Sequence, residues 1–389
     1  MTADFQISAG FMPLLDSMLL VAAQEKGFAA AESIELRLVR ETSWANIRDR
    51  LAVGQFEVAH MLAPMALAAA LGLTPIPSPT IAPMALGLGG NGITVSTDLW
   101  ERLLAAGAPS GLEAAGTGAA LKQVAAGGRL RFGVVHPYSA HNYELRYWLS
   151  ACGVHPEADV EIVVLPPPLL PDALASGAID GYCVGEPWNS VAVAAGAGRI
   201  ATVKSAIWRS SPEKVLGVRR DWAEQHPQAL AALLRSLYRA ALWCGAPENA
   251  AEAAAMLGQK HYLDLPPALI EHGLTGQLAL GDGRVEPVED FFLPQARAAT
   301  YPSTSHALWF YSQMVRWGQV GHAEERARQV EACYRPDLYR AALAPLRVPV
   351  PAAMAKIDGF FDGQAFDPAR LQDYLDAQRR ADAAIAHFG

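Results

Sequence analysis

Residues 87–96 read GLGGNGITVS, and the fold turns on how that run is parsed. Gly87, Gly89 and Gly92 match G-x-G-x-x-G, the pattern of a dinucleotide-binding turn, and Glu113 lies about where an acidic ribose partner belongs. That pattern works only when the glycines open a helix whose N-terminus faces the pyrophosphate. Here they are followed by Ile93, Thr94 and Val95, three β-branched residues that favour extended backbone, and a helix is not expected before Asp98. The run therefore reads as a flexible crossing into a strand, where glycines let backbone come close to a neighbour or a ligand.

Outward from this crossing, the preceding sequence alternates strands and helices. FQISAGF (5–11) and IELRLVR (34–40) read as strands, and EVAHMLAP (57–64) as a third strand or turn. DSMLLVAAQEKGF (16–28) reads as a helix, as does SWANIRDRLAVGQF (43–56), with Ser43 placed as its cap. A β-α-β-α-β opening implies a parallel sheet covered by helices. Beyond the crossing, LRFGVVHP (130–137) and DVEIVVLPPP (159–168) are strands, and SAHNYELRYWLSACG (139–153) is a helix started by Ser139. A buried strand ends in YCVGEPW, EKVLGVRR (213–220) is a further strand, and the chain from about 247 is mostly helical, ending in an amphipathic run after Asp367. The expected architecture is α/β with two lobes. Lobe I is formed by 1–96 plus 205–389 and lobe II by 97–204, with hinge crossings near 92–97 and 204–218. Ligands of such folds sit in the cleft, at strand ends and helix N-termini.

Composition narrows the function classes. The 389 residues suffice for two cores, and a hydrophobic fraction of 51% argues against disorder. A net charge of -8 disfavours a nucleic-acid surface, which needs clustered Lys and Arg. The four cysteines form no C-x-x-C pair and read as buried free thiols, and the ten histidines show no metal spacing. Neither a metal nor a cofactor is expected. The N-terminal apolar run is broken by Pro13 and Asp16 and lacks a preceding basic residue, so the expectation is a cytoplasmic protein without an export signal. No apolar stretch is long enough to span a membrane.

Several residues are placed for chemistry. Trp44, at a loop-to-helix junction, is either a core aromatic or a flat wall with an N–H donor for a planar ligand. His141 falls in a first helical turn, where free N–H groups favour anions; it is either an oxyanion donor or a capping residue. Lys214 enters a strand at the second crossing, either as a solvated lysine or as a compact positive charge for an anion. Glu186 reads as a lobe contact rather than a catalytic acid, since no second carboxylate is paired with it in sequence. The aromatic helix LWFYSQMVRWGQ (308–319) reads as core or subunit contact.

SWANIRDRL, AHMLAPMALA, NGITVS, AHNYELRYWLSACGV, DGYCVGEPWN and SPEKVLGVRRDW, in order over about residues 5–250, together resemble the nitrate/bicarbonate-binding group of type II solute-binding proteins. The resemblance implies a two-lobed, non-enzymatic binding protein of periplasmic-binding-protein type. Nitrate or nitrite would be held in its cleft by Trp44, Asn91, His141 and Lys214, with Gly90, Tyr138, Ser139 and Glu186 around them. Within that group, a chain without an export signal resembles the cytoplasmic nitrate/nitrite sensors of the NasS type. This branch implies an ANTAR-domain antiterminator of the NasT type as partner, released when nitrate binds, with the charged C-terminal helix as a docking candidate. The alternatives are the binding component of a nitrate ABC transporter and an enzyme of the thiamine-pyrimidine synthase type on the same fold.

Overall fold

The computed structural model describes residues 4–349, 351 and 358–386. Its architecture is carried by strands β1 (Phe5–Phe11), β2 (Ile34–Arg40), β3 (Val58–Leu62), β4 (Thr80–Ile81), β5 (Leu88–Gly89), β6 (Asn91–Ser96), β7 (Leu130–Val134), β8 (Val160–Val164), β9 (Gly181–Gly185), β10 (Gly198–Val203) and β11 (Lys214–Arg219). The first sheet has the order β2-β1-β3-β11-β4 and the second β10-β6-β9-β7-β8. In the first, β2, β1 and β3 are parallel and β11 runs antiparallel to β3. In the second, β8, β7 and β9 are parallel and β6 runs antiparallel to β9. Each sheet is thus a parallel βαβ unit closed by the antiparallel strand that follows a crossing. The β-α-β-α-β reading of the first sixty residues matches this order, and β3, β9 and β10 are buried along their whole length, as strands covered on both faces must be.

The lobe boundary needs a correction. Asn91–Ser96 pairs with β9 and β10 in the second sheet, so the chain has already crossed before residue 92. The crossing runs through Gly87–Gly90, where three glycines adopt φ of +123°, +77° and +89°. A Cβ on Gly89 would lie 2.2 Å from the Phe291 carbonyl oxygen, so the glycines serve close backbone approach at the hinge. The return crossing occupies Lys204–Glu213, between β10 and β11.

The C-terminal half does not belong to lobe I alone. The aromatic helix Thr304–Arg316 is core, and it packs on both the Ala63–Ala70 helix of the first lobe and the Ala140–Ala151 helix of the second. Trp309 stacks with Phe360 and lies 6.2 Å from Tyr147, and the Tyr147 hydroxyl donates to Asp362. Asp382, on the last helix (Leu371–Ala386), pairs with Arg316 and accepts from Ser150. The charged C-terminal helix therefore has one face committed to the protein, with Tyr374 and Leu375 buried. Residues 387–389 of the run after Asp367 lie outside the described residues.

All four cysteines are free; Cys183 and Cys333 are buried, while Cys152 and Cys244 are only half-buried. No described helix is long and apolar enough to cross a membrane.

Candidate functional site

The sheets meet with their strand ends facing one another, and the charged and polar groups there are buried together. On the first-lobe side, Ser43 caps its helix through a bond from the Asn46 N–H, which fixes Trp44 as the first helical residue, turned inward and fully buried. The Trp44 indole N–H has no hydrogen-bond partner among the described residues. Its ring lies 5.4 Å from that of His60 on β3, and Lys214 Nζ sits 5.6 Å above it. Lys214 heads β11 and is 2.9 Å from Asp16 Oδ2 and 2.6 Å from Glu213 Oε1. The other Asp16 oxygen is 2.9 Å from His60 Nε2, and His60 Nδ1 accepts from the Met12 N–H, so the neutral ring donates through Nε2.

On the second-lobe side, Asn91 heads β6. Its amide donates to Glu213 Oε2 at 2.6 Å and Glu144 Oε2 at 3.2 Å, while its Oδ1 has no hydrogen-bond partner. Ser139 caps the Ala140–Ala151 helix through the Asn142 N–H and so sets His141 in the first turn. His141 is fully buried with neither ring nitrogen hydrogen-bonded; its Nε2 comes no closer than 3.5 Å to Glu213 Oε1. Lys204 joins the cluster from the return crossing, 2.5 Å from Glu144 Oε1 and 2.7 Å from Glu213 Oε2.

Two lysines thus face three carboxyl groups and two imidazoles, all buried. Burial pushes His141 down to about 3, with both lysines adding to the effect, so the ring is neutral. Burial raises the Glu144 carboxyl to about 7 against the pull of Lys204. For Glu213, burial works upward but is outweighed by Lys204 and Lys214, which hold it well below the carboxylate range. Asp16 is likewise opposed by burial yet held at about 2 by Lys214 and His60. Lys214 resists the lowering effect of burial because Asp16 and Glu213 keep it charged.

Of the residues singled out by sequence, Trp44, Asn91, His141 and Lys214 converge at this point. Ser139 positions the His141 helix, and Gly90 lies in the crossing just before Asn91. Glu186 is a lobe contact: its carbonyl accepts from the Leu15 N–H of the first lobe and its N–H donates to the Gly90 carbonyl. Burial raises its carboxyl to about 7. Tyr138 is the outlier, half-buried and packed near His136 rather than in the cluster. Sequence reasoning missed Asp16, His60, Glu144, Lys204 and Glu213. One signal was available, since His141 and Glu144 are three apart on one helix and so share a face. Among the described residues no group of His, Cys, Asp and Glu is arranged to hold a metal ion.

What the cluster presents is a set of donors aimed at one place: the Lys214 ammonium, the Asn91 amide, an imidazole N–H and an unpartnered indole N–H. A buried donor left unmade costs about 1–3 kcal/mol. A small planar species with acceptors only would relieve that cost at Trp44 and His141 together.

Residues 3–258 match the NMT1-like family. The nitrate/nitrite binding protein NrtA of Synechococcus elongatus is 33% identical over 384 residues, covering 95% of this chain and 85% of that one. The bicarbonate transport ATP-binding protein CmpC of Synechocystis is 35% identical over 364 residues, covering 93% of this chain but 53% of that longer one. The crystal structure of the periplasmic nitrate-binding protein NrtA from Synechocystis superposes with a TM-score of 0.90 at 30% identity, covering 96% of this chain and 98% of that one.

Proposed function

We propose, from the premise that this chain belongs to the NMT1-like family and shares its two-lobed binding fold, that it binds nitrate or nitrite between Trp44, Asn91, His141 and Lys214. The observation that carries the reading is the pair of fully buried donors without partners, Trp44 Nε1 and His141, beside a charged lysine. Nitrate offers only acceptors and one negative charge, which suits these donors. With four heavy atoms at a ceiling of about 1.5 kcal/mol each, nitrate binding is worth about 6 kcal/mol, or tens of micromolar. The protein is a binding protein and not an enzyme, in keeping with its relatives.

The relatives favour delivery of the anion to an ABC transporter over the sensor role that the family resemblance also offers. Both roles use the same anion site and differ in what docks on the closed lobes and in which compartment. Calorimetry with nitrate, nitrite, bicarbonate and chloride tests the anion reading. Saturable heat with nitrate or nitrite is expected, and its absence for both overturns it. Pull-down with an ANTAR-domain antiterminator, released by nitrate, would reverse the choice between transporter and sensor.

A further inference from the structure

Glu213 occupies the very atoms that an anion would need. Its two oxygens lie 2.6 Å from Lys214 Nζ, 2.6 Å from the Asn91 amide nitrogen, 2.7 Å from Lys204 Nζ and 3.5 Å from His141 Nε2. Two of the four proposed ligand contacts, Lys214 and Asn91, are therefore met by one carboxylate of the protein itself, which also approaches His141 without bonding it. A carboxylate is planar, carries one negative charge, and presents an O–C–O edge close in shape to the O–N–O edge of nitrate. It is also the expendable member of the cluster. Without it, Lys214 keeps Asp16 at 2.9 Å and Lys204 keeps Glu144 at 2.5 Å, so each lysine retains one carboxylate. Glu213 immediately precedes β11, at the end of the return crossing, and its carbonyl accepts from the Ala63 N–H, so its carboxylate moves by side-chain rotation while the backbone stays in place.

We infer that Glu213 is a tethered counter-anion that holds the donor set in the empty site, and that ligand binding is an exchange in which nitrate takes Lys214, Asn91 and His141 while Glu213 withdraws toward Lys204. This rests on the reading that the anion binds among those residues. The exchange sets affinity by internal competition: the closed cleft is electrostatically filled with no ligand present, and a second anion enters only by displacing the first. It also ties binding to protons. Entry of nitrate adds a negative charge to a pocket that already holds Asp16, Glu144 and Glu213 against Lys204 and Lys214, with His60, His141, Cys183 and Tyr334 the remaining titratable groups facing Glu213 or Glu144. Proton uptake balances it. Glu144, which shares Lys204 with Glu213 and is already raised to about 7, is the group placed to take that proton.

The test is calorimetric titration of nitrate into the wild-type protein, Glu213→Gln and Glu213→Asp between pH 6 and 8, with thermal melts to establish folding. Glu213→Gln removes the competing charge, and its nitrate affinity is expected to rise about tenfold or more, with a flatter pH dependence. Glu213→Asp keeps the charge but draws it back by one methylene from Asn91 and His141, and is expected to tighten binding by less while keeping the wild-type pH slope. In the wild type, affinity is expected to fall as pH rises through about 7. Binding by wild type with unchanged or weaker binding by folded Glu213→Gln overturns the inference and leaves the anion reading standing. Nitrate binding by Glu213→Gln alone supports the inference, and no binding by any of the three overturns both.

Discussion

The two lobes contribute to the site in different conditions of completeness. On the first-lobe side, Asp16 bridges His60 and Lys214, and both of its oxygens are engaged. Only the indole N–H of Trp44 is left over. On the second-lobe side, both ring nitrogens of His141 lack hydrogen bonds, Asn91 Oδ1 is unpaired, and Glu144 is held near the point of neutrality by burial. The difference follows from how each half is built. His60 and Lys214 come from neighbouring strands of one sheet, where Lys214 pairs directly with Leu62, two residues beyond His60, and Asp16 comes from the short 3-10 turn Leu15–Ser17 that follows β1. Asn91, His141, Glu144 and Lys204 come from a strand start, a helix and a crossing, with no shared strand register to fix them. One half is preorganised, and the other half is left to be completed by something that arrives.

The largest effect that could break this contrast is expected at Lys214. Lys214→Ala leaves Asp16 with only the neutral His60 ring and Glu213 with Lys204 and Asn91, and destabilisation of about 3–5 kcal/mol is expected from losing one partner of a buried pair. Nitrate affinity should fall by at least tenfold in whatever remains folded, read by denaturant melts and calorimetry. Next come the two histidines. His60→Leu should cost about 1–3 kcal/mol of stability because it removes the Asp16 and Met12 partners. His141→Leu should leave stability nearly unchanged while abolishing measurable nitrate heat. Equal melting losses for the two variants would erase the distinction between the lobes. Trp44→Phe sharpens it further, since it deletes only the unpartnered N–H. A weakening of nitrate binding by roughly three- to tenfold, with no loss of melting temperature, is expected for one modest hydrogen bond.

The smallest expected effect is a pH dependence of stability. Glu144 is raised to about 7 in the folded chain from an ordinary 4.5. The unfolded chain therefore releases this proton first, and stability is lost as pH rises from about 4.5 through 7 and is flat above. Glu144→Gln mimics the protonated form, so it should melt above the wild type at pH 8, with the gap closing toward pH 4.5. A gap that persists at low pH would assign the gain to packing rather than to the carboxyl charge.

The fold was largely legible because its signals are local. Ser43 and Ser139 cap the helices expected of them, and the β-branched residues after Asn91 do form a strand instead of a helix. The crossing was placed some five residues late because its glycines and the following strand form one continuous run, and only pairing with β9 reveals which lobe owns Asn91. Trp44, His141 and Lys214 were visible at junctions, where backbone donors are free, and Asn91 came from the family resemblance. The counter-charges were not. Asp16 read as the start of a helix, Glu144 as one residue of the 139–153 helix, and Glu213 as the first residue of the 213–220 strand. Their burial depends on contacts between residues 44, 53 and 122 positions apart, which no window along the chain contains.

The bracing of the Ala140–Ala151 helix has a consequence for time rather than affinity. Tyr147, Ser150 and Tyr143 on this helix are fastened to Asp362, Asp382 and Gln319 of the C-terminal segment, which also packs on the first lobe. Beside the two chain crossings and the Glu186–Leu15 contact, the lobes are thus joined by a strap, and the strap holds the element that carries His141. Movement of that helix away from the first lobe would loosen a layer of aromatic rings. Entry and exit are consequently clocked by the polypeptide: observed association rates should level off with increasing solute concentration, at a ceiling that loosening the Asp382 fastening raises.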